Sequence, residues 1–403
     1  MLTMLDRVAG DVRKHYYDPE FRGIDWDATV SQAKDKIKAD TSLNMSLAHI
    51  AQALLVLNDS HTFFVPPPRP FRHDYGFQDG MIGDRCFIVR VRPGSDAESK
   101  GVKPGDEVMS INGFAPDRDS LWKMAYRYNI LRPEPGLRLV LRSPEGQERQ
   151  VDVLAKIRQL PKVQDITGNG IWEVVRQAET EEHARRPRLE ERGDQLMILK
   201  LPDFLFDEEK VNGWIGKARK HQALILDLRG NPGGSVDSLK ALLGYFFEDS
   251  VKIADRVSRK ERKPETTKST GKRACTGKIT VLLDSDSASA AELFARVVQL
   301  EKRGVVMGDR SSGSVMEARR YDYSLGEGTV VFYGASITDS DLIMSDGKSL
   351  EHAGVVPDEV ALPAAADLAA GRDPVLSHAA AALGVSLSPE EAGKLFPYEW
   401  PQD

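Results

Sequence analysis

The 403-residue sequence predicts an α/β protein built from several domains. Three observations support this prediction. Short apolar segments alternate with helical patterns in the second half, the first 65 residues have helical periodicity, and the length suits about two to three domains. We expect a helical domain at 1–70, a β-rich domain at 71–157, an α/β domain at 158–375 and a helical tail at 376–403.

The first domain is predicted from apolar residues that recur three and four positions apart in 2–17, 26–39 and 46–58. This spacing places them on one face of a helix. Four prolines between residues 66 and 70 follow, and proline cannot continue a helix because it lacks the N–H group. We therefore expect a domain boundary near residue 70.

The second domain has the pattern of strands and turns. Segments 86–94 and 101–113 each combine an apolar strand with a glycine-containing turn, and 137–155 reads as a hairpin around Pro144, Glu145 and Gly146. Segment 117–129 has helical spacing. The charged stretch at 179–194 predicts a solvated linker or helix face.

The third domain alternates strands with helices. The predicted strands are 196–201, 223–229, 278–284 and 304–309, and the predicted helices are 211–220, 235–247 and 290–302. Within it, segment 252–278 carries ten basic and three acidic residues, which we interpret as a mobile surface loop, with a nucleic-acid patch as the alternative. The segment 381–396 is expected to cap this domain or to join a partner chain.

Composition excludes several functional classes. With 61 acidic and 55 basic side chains the net charge is −6, so nothing in the global charge favours nucleic acid as a partner. Cys86 and Cys275 lie far apart, without the spacing of a zinc site or disulfide framework, and we expect no metal and no cofactor. No segment has the roughly 18 to 20 consecutive apolar residues of a membrane span, and the start is amphipathic rather than signal-like.

One candidate site element follows the predicted strand at 223–227. It reads Asp227, Leu228, Arg229, Gly230, Asn231, Pro232, Gly233, Gly234. A pair of glycines between a strand and a helix can present backbone N–H groups to an anion. A tight turn without a ligand explains the segment equally well, and a nucleotide is disfavoured because the pattern lacks the lysine of a phosphate loop.

A second element follows the strand at 278–284. Ser289 lies at a strand-to-helix turn, where a hydroxyl can be exposed as a nucleophile and the next N–H is available to an oxyanion. Glu292 comes three residues later, so a capping box is the structural alternative. His61 and Glu351 also have alternatives, a local hydrogen bond and an ordinary surface position.

The motifs in combination resemble one family. In order, LNDSHT, LILDLRGNPGG, LLDSDSASAAELFA, VVMGDRSSG and DGKSLEHAGVVPD resemble the tail-specific, or C-terminal processing, serine peptidases (S41-like) and the related tricorn core. The segment GVKPGDEVMSING resembles the PDZ domain that many of these peptidases carry. The resemblance implies a ClpP/crotonase-like layered catalytic domain and a PDZ-like domain at 71–157.

The resemblance also implies roles for individual residues. Ser289 stands at the position of the nucleophile, whereas Ser314 stands where many members have a lysine base. A hydroxyl cannot act as a base near neutral pH, so the tricorn-like arrangement is favoured. In that arrangement His61 is the base, and Ser60 and Glu351 orient it. The N–H groups of Gly233 and Ala290 would hold the oxyanion.

For the PDZ-like domain the resemblance implies peptide capture. An extended peptide would add as a strand, and the loop of Tyr75, Gly76 and Phe77 would bind its terminal carboxylate. Protein or peptide substrates recognised through their C-termini are therefore the expected partners. An oligomer is compatible with this function, and the family resemblance favours a periplasmic or secreted location.

Two other functions compete with the serine endopeptidase. A catalytically inactive peptide-binding protein would keep this fold and its peptide site, and the missing lysine motivates that alternative. An acyl-transfer enzyme acting on a small thioester would use the related crotonase-like layering, but it would need a nucleotide-sized pocket that no motif announces.

Overall fold

The structure is a computed structural model that describes residues 1–159, 186–326 and 330–400. The α-helices of these residues are α1 (Leu2–His15), α2 (Trp26–Ala39), α3 (Leu43–Leu55), α4 (Asp96–Ser99), α5 (Leu121–Tyr126), α6 (Glu208–Ala218), α7 (Val236–Gly244), α8 (Ala290–Leu300), α9 (Ala365–Ala370), α10 (Pro374–Ala382) and α11 (Pro389–Leu395).

The strands of the first half are β1 (Phe63–Val65), β2 (Phe71–Asp74), β3 (Phe77–Ile82), β4 (Arg85–Val91), β5 (Glu107–Ile111), β6 (Gly136–Arg142), β7 (Glu148–Leu154) and β8 (Lys156–Gln159). Those of the second half are β9 (Arg188–Arg192), β10 (Leu196–Lys200), β11 (Ala223–Asp227), β12 (Lys252–Ser258), β13 (Arg262–Thr266), β14 (Lys278–Leu283), β15 (Val305–Gly308), β16 (Met316–Leu325), β17 (Val331–Met344) and β18 (Glu359–Val360).

A six-stranded sheet in the order β18-β15-β14-β11-β10-β9 forms the centre of the α/β part. Its strands run parallel except at the β9 edge, where β9 is antiparallel to β10. Strand β11 is buried along its whole length, as expected for a parallel strand with both faces covered. Helices α6, α7 and α8 supply residues to the core on one face, and α10 and α11 supply those on the other.

The tail helices therefore cap the sheet, which confirms one of the two expectations for the C-terminal segment. Val385 and Leu387, which follow α10, and Ala392 of α11 are buried against the face that carries Leu196 and Ile225 from β10 and β11. Removing such apolar side chains from water stabilises the fold by about 25 cal/mol per Å².

The N-terminal helices pack on a second sheet. Strand β17 is its long member and pairs with β1, β12 and β16. Tyr333, Ala335 and Ile337 of β17 belong to the same buried cluster as the helix residues Leu5 and Ile50. Residues predicted as a separate helical domain thus share a core with the α/β part of the chain.

The third sheet, β3-β4-β5-β6-β7, is antiparallel and has β3 at one edge. The predicted hairpin around Pro144, Glu145 and Gly146 is confirmed as β6 and β7, and the predicted helix at 117–129 contains α5. Its core includes Ile88, Leu139 and Val153.

Two sequence-based expectations need correction. Segment 252–278 is not a mobile loop at its start, because β12 and β13 form a hairpin there and β12 pairs with β17. Some of its cations form ion pairs: Arg256 bonds Glu317 and Asp339, and Arg262 bonds Asp255, so the positive charge of the hairpin is partly neutralised.

The charged stretch at 179–194 is the second case. Arg188–Arg192 forms edge strand β9, because main-chain pairing with β10 is available whatever the side-chain charge, and charged residues are common on edges. Residues 179–185 lie outside the described part of the chain.

Among the described helices, none combines the length and the apolar composition needed to cross a bilayer. Within the same residues, no group of three or more histidine, cysteine or acidic side chains is arranged to hold a metal ion.

Candidate active site

The candidate site lies where the parallel strands β11 and β14 end side by side. The turn after β11 contains Gly233 and Gly234, and the turn after β14 leads into Ser289. The Ala288 N–H donates to the Asn231 carbonyl at 2.9 Å, so the two turns are held together directly. Carboxyl ends of adjacent parallel strands are the usual place for a site in an open α/β sheet.

Ser289 has an unusual backbone conformation at the start of α8. Its φ is 54° and its ψ is −117°, in a region that residues with a Cβ rarely adopt. The Ser289 N–H donates to Glu292 Oε2 at 2.9 Å and to the Ser314 carbonyl at 2.9 Å. The bond to Glu292 belongs to the capping box that the sequence predicts. The strained backbone of Ser289 is therefore held by the two contacts of its N–H group.

Gly233 packs directly against this serine. It has φ of +93°, and a Cβ built on it would lie 2.6 Å from Ser289 Cβ and 2.9 Å from the Ala290 nitrogen. A side chain at 233 would displace the turn that carries Ser289. The sequence suggested that the glycine pair serves anion binding. In the structure, the close approach of the Ser289 turn explains why residue 233 must be a glycine.

Ser60, His61 and Glu351 form one hydrogen-bonded chain. The Ser60 hydroxyl lies 2.7 Å from His61 Nδ1 and 2.9 Å from Glu351 Oε2. The Ser60 N–H also donates to Glu351 Oε1 at 2.7 Å. Glu351 is 5 % exposed in its side chain and also accepts the Val315 N–H at 2.9 Å.

The donors among Ser60, His61 and Glu351 determine which ring nitrogen of His61 carries the proton. Glu351 accepts at both oxygens, so the single hydroxyl proton of Ser60 points to Oε2. Ser60 Oγ must then accept from His61 Nδ1–H, and the lone pair of the neutral ring is on Nε2. Burial lowers the pKa of His61, and the charges of Glu351 and Asp59 act in the opposite direction.

Asp59 fixes the loop that carries Ser60 and His61. Its Oδ1 accepts the N–H groups of His61 and Thr62 at 3.0 and 2.7 Å and the Thr338 hydroxyl at 2.7 Å. The residue is 3 % exposed. The aspartate thus anchors the loop after α3 to β17, which sets the position of His61.

His61 and Ser289 line a single cavity of about 480 Å³. Within the described residues the structure has no hydrogen bond between the two side chains. The cavity wall combines apolar and charged side chains. The other lining residues are Gly234, Val236, Leu239, Arg256, Ala290, Leu293, Met316, Glu317, Ala318, Arg319, Asp339 and Leu342.

The two expected oxyanion donors differ in their surroundings. The Gly233 N–H, one of the two expected oxyanion donors, donates to Asn231 Oδ1 at 2.8 Å, and Gly233 is buried. Its neighbour Gly234 is exposed and lines the cavity together with Ala290. For the N–H groups of Gly234 and Ala290, the structure gives no acceptor among the described residues.

Glu292 holds the segment that contains Ser314. Oε1 accepts from the Ser311 hydroxyl at 2.6 Å and the Gly313 N–H at 2.7 Å, and Oε2 accepts the N–H groups of Ser289 and Ser314. Burial raises the pKa of Glu292 to about 7, although these four donors oppose the rise. Sequence reasoning saw only a helix cap here, because the loop contacts come from residues 19 to 22 positions later.

A network of ion pairs stabilises the turn after β11. Arg229 bonds both oxygens of Asp227 and, at 2.9 and 2.7 Å, both oxygens of Asp373. Lys200 Nζ lies 3.2 Å from Asp227 Oδ2. The two cations hold the pKa of Asp227 below its usual range in spite of its burial. The network ties the turn after β11 to the start of α10, which spacing alone did not predict.

Tyr75, Gly76 and Phe77 lie away from this cavity, where β3 begins. The Gly76 N–H donates to Asp74 Oδ1 at 2.9 Å, and Asp74 pairs with Arg92 and Arg158 at 3.2 and 2.7 Å. A groove of about 220 Å³ runs between β3 and α5. Its walls include Phe77, Gln78, Met124 and Tyr128.

Comparison with known proteins places the site in context. Residues 195–361 match the model of peptidase family S41. A Streptomyces coelicolor protein named as a tricorn protease homologue (homolog 2) is 25 % identical over 91 % of this chain and 31 % of its own length. The Tail-specific protease of Haemophilus influenzae is 25 % identical over 71 % of this chain and 41 % of its own length. The chain thus spans less than half of either relative.

A solved structure shares the fold. Mature CPAF complexed with lactacystin is 17 % identical, with a TM-score of 0.66, and the match covers 91 % of this chain and 94 % of that one. The mixed α/β architecture of several sheets is therefore one already seen in a solved protein. Ser289, Ala290 and Glu351 all lie inside the matched segment, whereas Ser60 and His61 lie outside it. Residues 195–361 of this chain form a peptidase family S41 domain.

Proposed function

We propose that the chain is a serine endopeptidase in which Ser289 is the nucleophile and His61 is the general base. The observation that carries this proposal is the hydrogen-bonded chain from Glu351 through Ser60 to His61, which ends at a cavity shared with Ser289. A serine, a histidine and a carboxylate that orients it are the parts of an acyl-transfer site.

In the proposed reaction the neutral His61 Nε2 takes the Ser289 proton as the hydroxyl oxygen attacks a peptide carbonyl. Glu351 stabilises the resulting imidazolium through the Ser60 hydroxyl. His61 then returns the proton to the leaving amine, and a water molecule repeats the sequence to release the acyl group. The Ser60 side chain acts by positioning His61 and does not touch the substrate.

The N–H groups of Ala290 and Gly234 are the proposed donors to the tetrahedral oxyanion. Both residues line the cavity with Ser289, and Ala290 opens helix α8, whose N-terminus favours negative charge. Loss of one such donor costs about 2.7 to 4 kcal/mol in the transition state. The apolar wall formed by Val236, Leu239 and Leu293 suits an apolar side chain next to the cleaved bond.

We also propose that segment 71–157 is a PDZ-like peptide-binding domain and that 158–375 is the catalytic domain with ClpP/crotonase-like layering. Edge strand β3 and helix α5 flank a groove, and an extended peptide can add to such an edge. The loop of Tyr75, Gly76 and Phe77 lies at the start of β3, where a substrate carboxylate would dock. Unfolded chains recognised by their C-termini are the substrates this arrangement favours.

A cleavage assay tests the proposal. An unfolded test protein is incubated separately with the unchanged chain, with Ser289→Ala and with His61→Ala. Mass spectrometry of all new termini should detect cleavage by the unchanged chain only. If all three leave the substrate intact while folded, a non-hydrolytic peptide-binding protein is the better description. Cleavage that survives His61→Ala would keep the nucleophile and require another base.

A further inference from the structure

The segment after α11 connects the α/β part of the chain to the β-rich segment. Near its start, the Arg188 guanidinium donates to the Pro397 carbonyl at 2.6 Å and stacks on the Phe396 ring at 5.4 Å. Further along, Tyr398 and Trp400 reach β3 and β4. The segment is therefore held at both ends by different sheets.

Tyr398 and Trp400 contact the β-rich segment through aromatic and polar groups. Gln78 Nε2 of β3 donates to the Tyr398 hydroxyl at 2.6 Å, and the Arg90 guanidinium lies 4.6 Å from the Tyr398 ring centre. The Arg92 guanidinium lies 4.7 Å from the Trp400 ring centre. The two aromatic rings meet edge to face at 5.1 Å, so they present one shared aromatic surface.

Both aromatic residues line the groove between β3 and α5. They share it with Phe77 on the strand side and Tyr128 on the helix side. Trp400 also lines the adjoining cavity of about 420 Å³, which contains Gly76 and Arg92. The segment therefore covers the end of the groove at which the loop of Tyr75, Gly76 and Phe77 lies.

We propose that segment 396–400 is an intramolecular ligand of this groove, and that a substrate peptide must displace it. The inference rests on the proposed peptide-binding function of segment 71–157. Cation–π contacts and one side-chain hydrogen bond hold Tyr398 and Trp400, and contacts of this kind are individually weak enough to exchange with a competing peptide. Tyr398 is 40 % exposed, so the bound segment is accessible to exchange.

The bound segment also indicates what the groove recognises. Tyr398 and Trp400 are two positions apart, the spacing that puts side chains on one face of an extended chain. Arg92 supplies a cation beside the aromatic site, where a terminal carboxylate could replace the Trp400 ring as its neighbour. The expected competitor is an extended peptide with two aromatic residues at this spacing near a free C-terminus.

Binding in trans tests the proposal. The probe is a synthetic peptide of residues 394–400 with fluorescein at its N-terminus and a free C-terminal carboxylate, and a second probe carries alanine at the tyrosine and tryptophan positions. Both are titrated into Ser289→Ala protein, with and without the added pair Tyr398→Ala and Trp400→Ala. Phe332→Ala, which removes an aromatic side chain that is 64 % exposed on β17, is the matched control.

Removing the internal ligand should increase affinity for the first probe by about 10-fold or more, since an attached competitor acts at a high effective concentration. The Phe332→Ala protein should bind like the unchanged one, and the alanine-containing probe should bind to none. Equal affinity with and without Tyr398 and Trp400, or no binding to either, would overturn the proposal and leave the segment as a tether between sheets.

A second assay tests the proposed peptidase activity independently of the internal ligand. It measures cleavage of an unfolded protein by the same set of proteins with Ser289 retained. Cleavage together with equal probe affinities means that the peptidase proposal stands and the internal ligand does not exist. The expected affinity change without any cleavage means that the internal ligand exists and the peptidase proposal fails.

Discussion

Ser60 and Glu351, which are 291 residues apart, are joined by two hydrogen bonds. The Ser60 N–H donates to Oε1 at 2.7 Å and the Ser60 hydroxyl donates to Oε2 at 2.9 Å. A carboxylate can satisfy both donors, whereas an amide cannot, because its nitrogen is itself a donor. This pairing fixes the hydroxyl proton and, through it, the tautomer of His61.

Glu351→Gln should reduce kcat strongly while KM stays close to its original value. In one orientation the new amide opposes a donor to the Ser60 N–H, which costs that hydrogen bond. In the other it opposes a donor to the Ser60 hydroxyl, whose proton then turns toward His61, so the base loses its lone pair at Nε2. The corresponding change in other hydrolytic triads lowers kcat by about 10⁴-fold. Steady-state kinetics on a quenched peptide measure the effect, and a loss confined to KM would contradict the assigned role.

The pH dependence of kcat/KM should have an acid limb below pH 6.5. Burial lowers the pKa of His61, and the base works only when neutral, so activity is present above that pKa and falls as the pH drops through it. The same shift makes the unfolded chain bind more protons in this range, so stability should also rise with pH there.

Glu292 provides the control for this profile. Burial raises its pKa to about 7, so a limb near pH 7 that disappears in Glu292→Gln belongs to Glu292 and not to His61. An acid limb above 6.5 that is unaffected by Glu292→Gln would contradict the assignment of His61.

Gly233→Ala should abolish activity and destabilise the fold. The new Cβ would lie 2.6 Å from Ser289 Cβ at a φ of +93°, so both contact and backbone conformation are unfavourable. Strain of this kind costs about 1 to 3 kcal/mol. Gly230→Ala is the control, because Gly230 has a φ of +72° but open space around it. Its loss of stability measures the cost of the backbone conformation without a steric contact. Denaturant unfolding and kinetics should show a larger loss at 233, and equal effects would refute the close-approach argument.

Arg229→Ala should destabilise the chain by about 3 to 5 kcal/mol, because it leaves Asp227 buried without its principal partner. Asp227 is fully buried, and Asp373 loses the same cation. Denaturant unfolding measures the change. Arg319→Ala is the matched control, since the Arg319 side chain is 70 % exposed, and a loss there as large as at Arg229 would argue against the buried network.

The sequence predicted four parallel strands of the main sheet, β10, β11, β14 and β15, because each is a short apolar run followed by turn residues. It did not predict strand β9, whose residues are almost all charged, since β9 is formed by pairing with β10. The hairpin of β12 and β13 was missed for a similar reason, because Arg256 finds its partners on β16 and β17, Glu317 and Asp339, only in the folded chain.

In the candidate site, too, the features predicted from the sequence are local motifs, and those that were missed depend on residues far apart in the chain. Motif order brought forward Ser289, His61, Ser60 and Glu351, and the last three form a hydrogen-bonded chain in the structure. The motif did not predict that the Gly233 N–H donates to the Asn231 side chain. The contacts of Glu292 and Asp59 also depend on residues distant in sequence, and a short motif contains no information about them.

Covalent labelling of Ser289 tests the central claim most directly. The chain is treated with a fluorophosphonate, which reacts only with an activated serine, and the modified peptide is located by mass spectrometry. We expect one label on Ser289, none in Ser289→Ala, and a rate reduced by about 10³-fold or more in His61→Ala. Labelling at another residue, or an unchanged rate without His61, would contradict the pairing of Ser289 with His61.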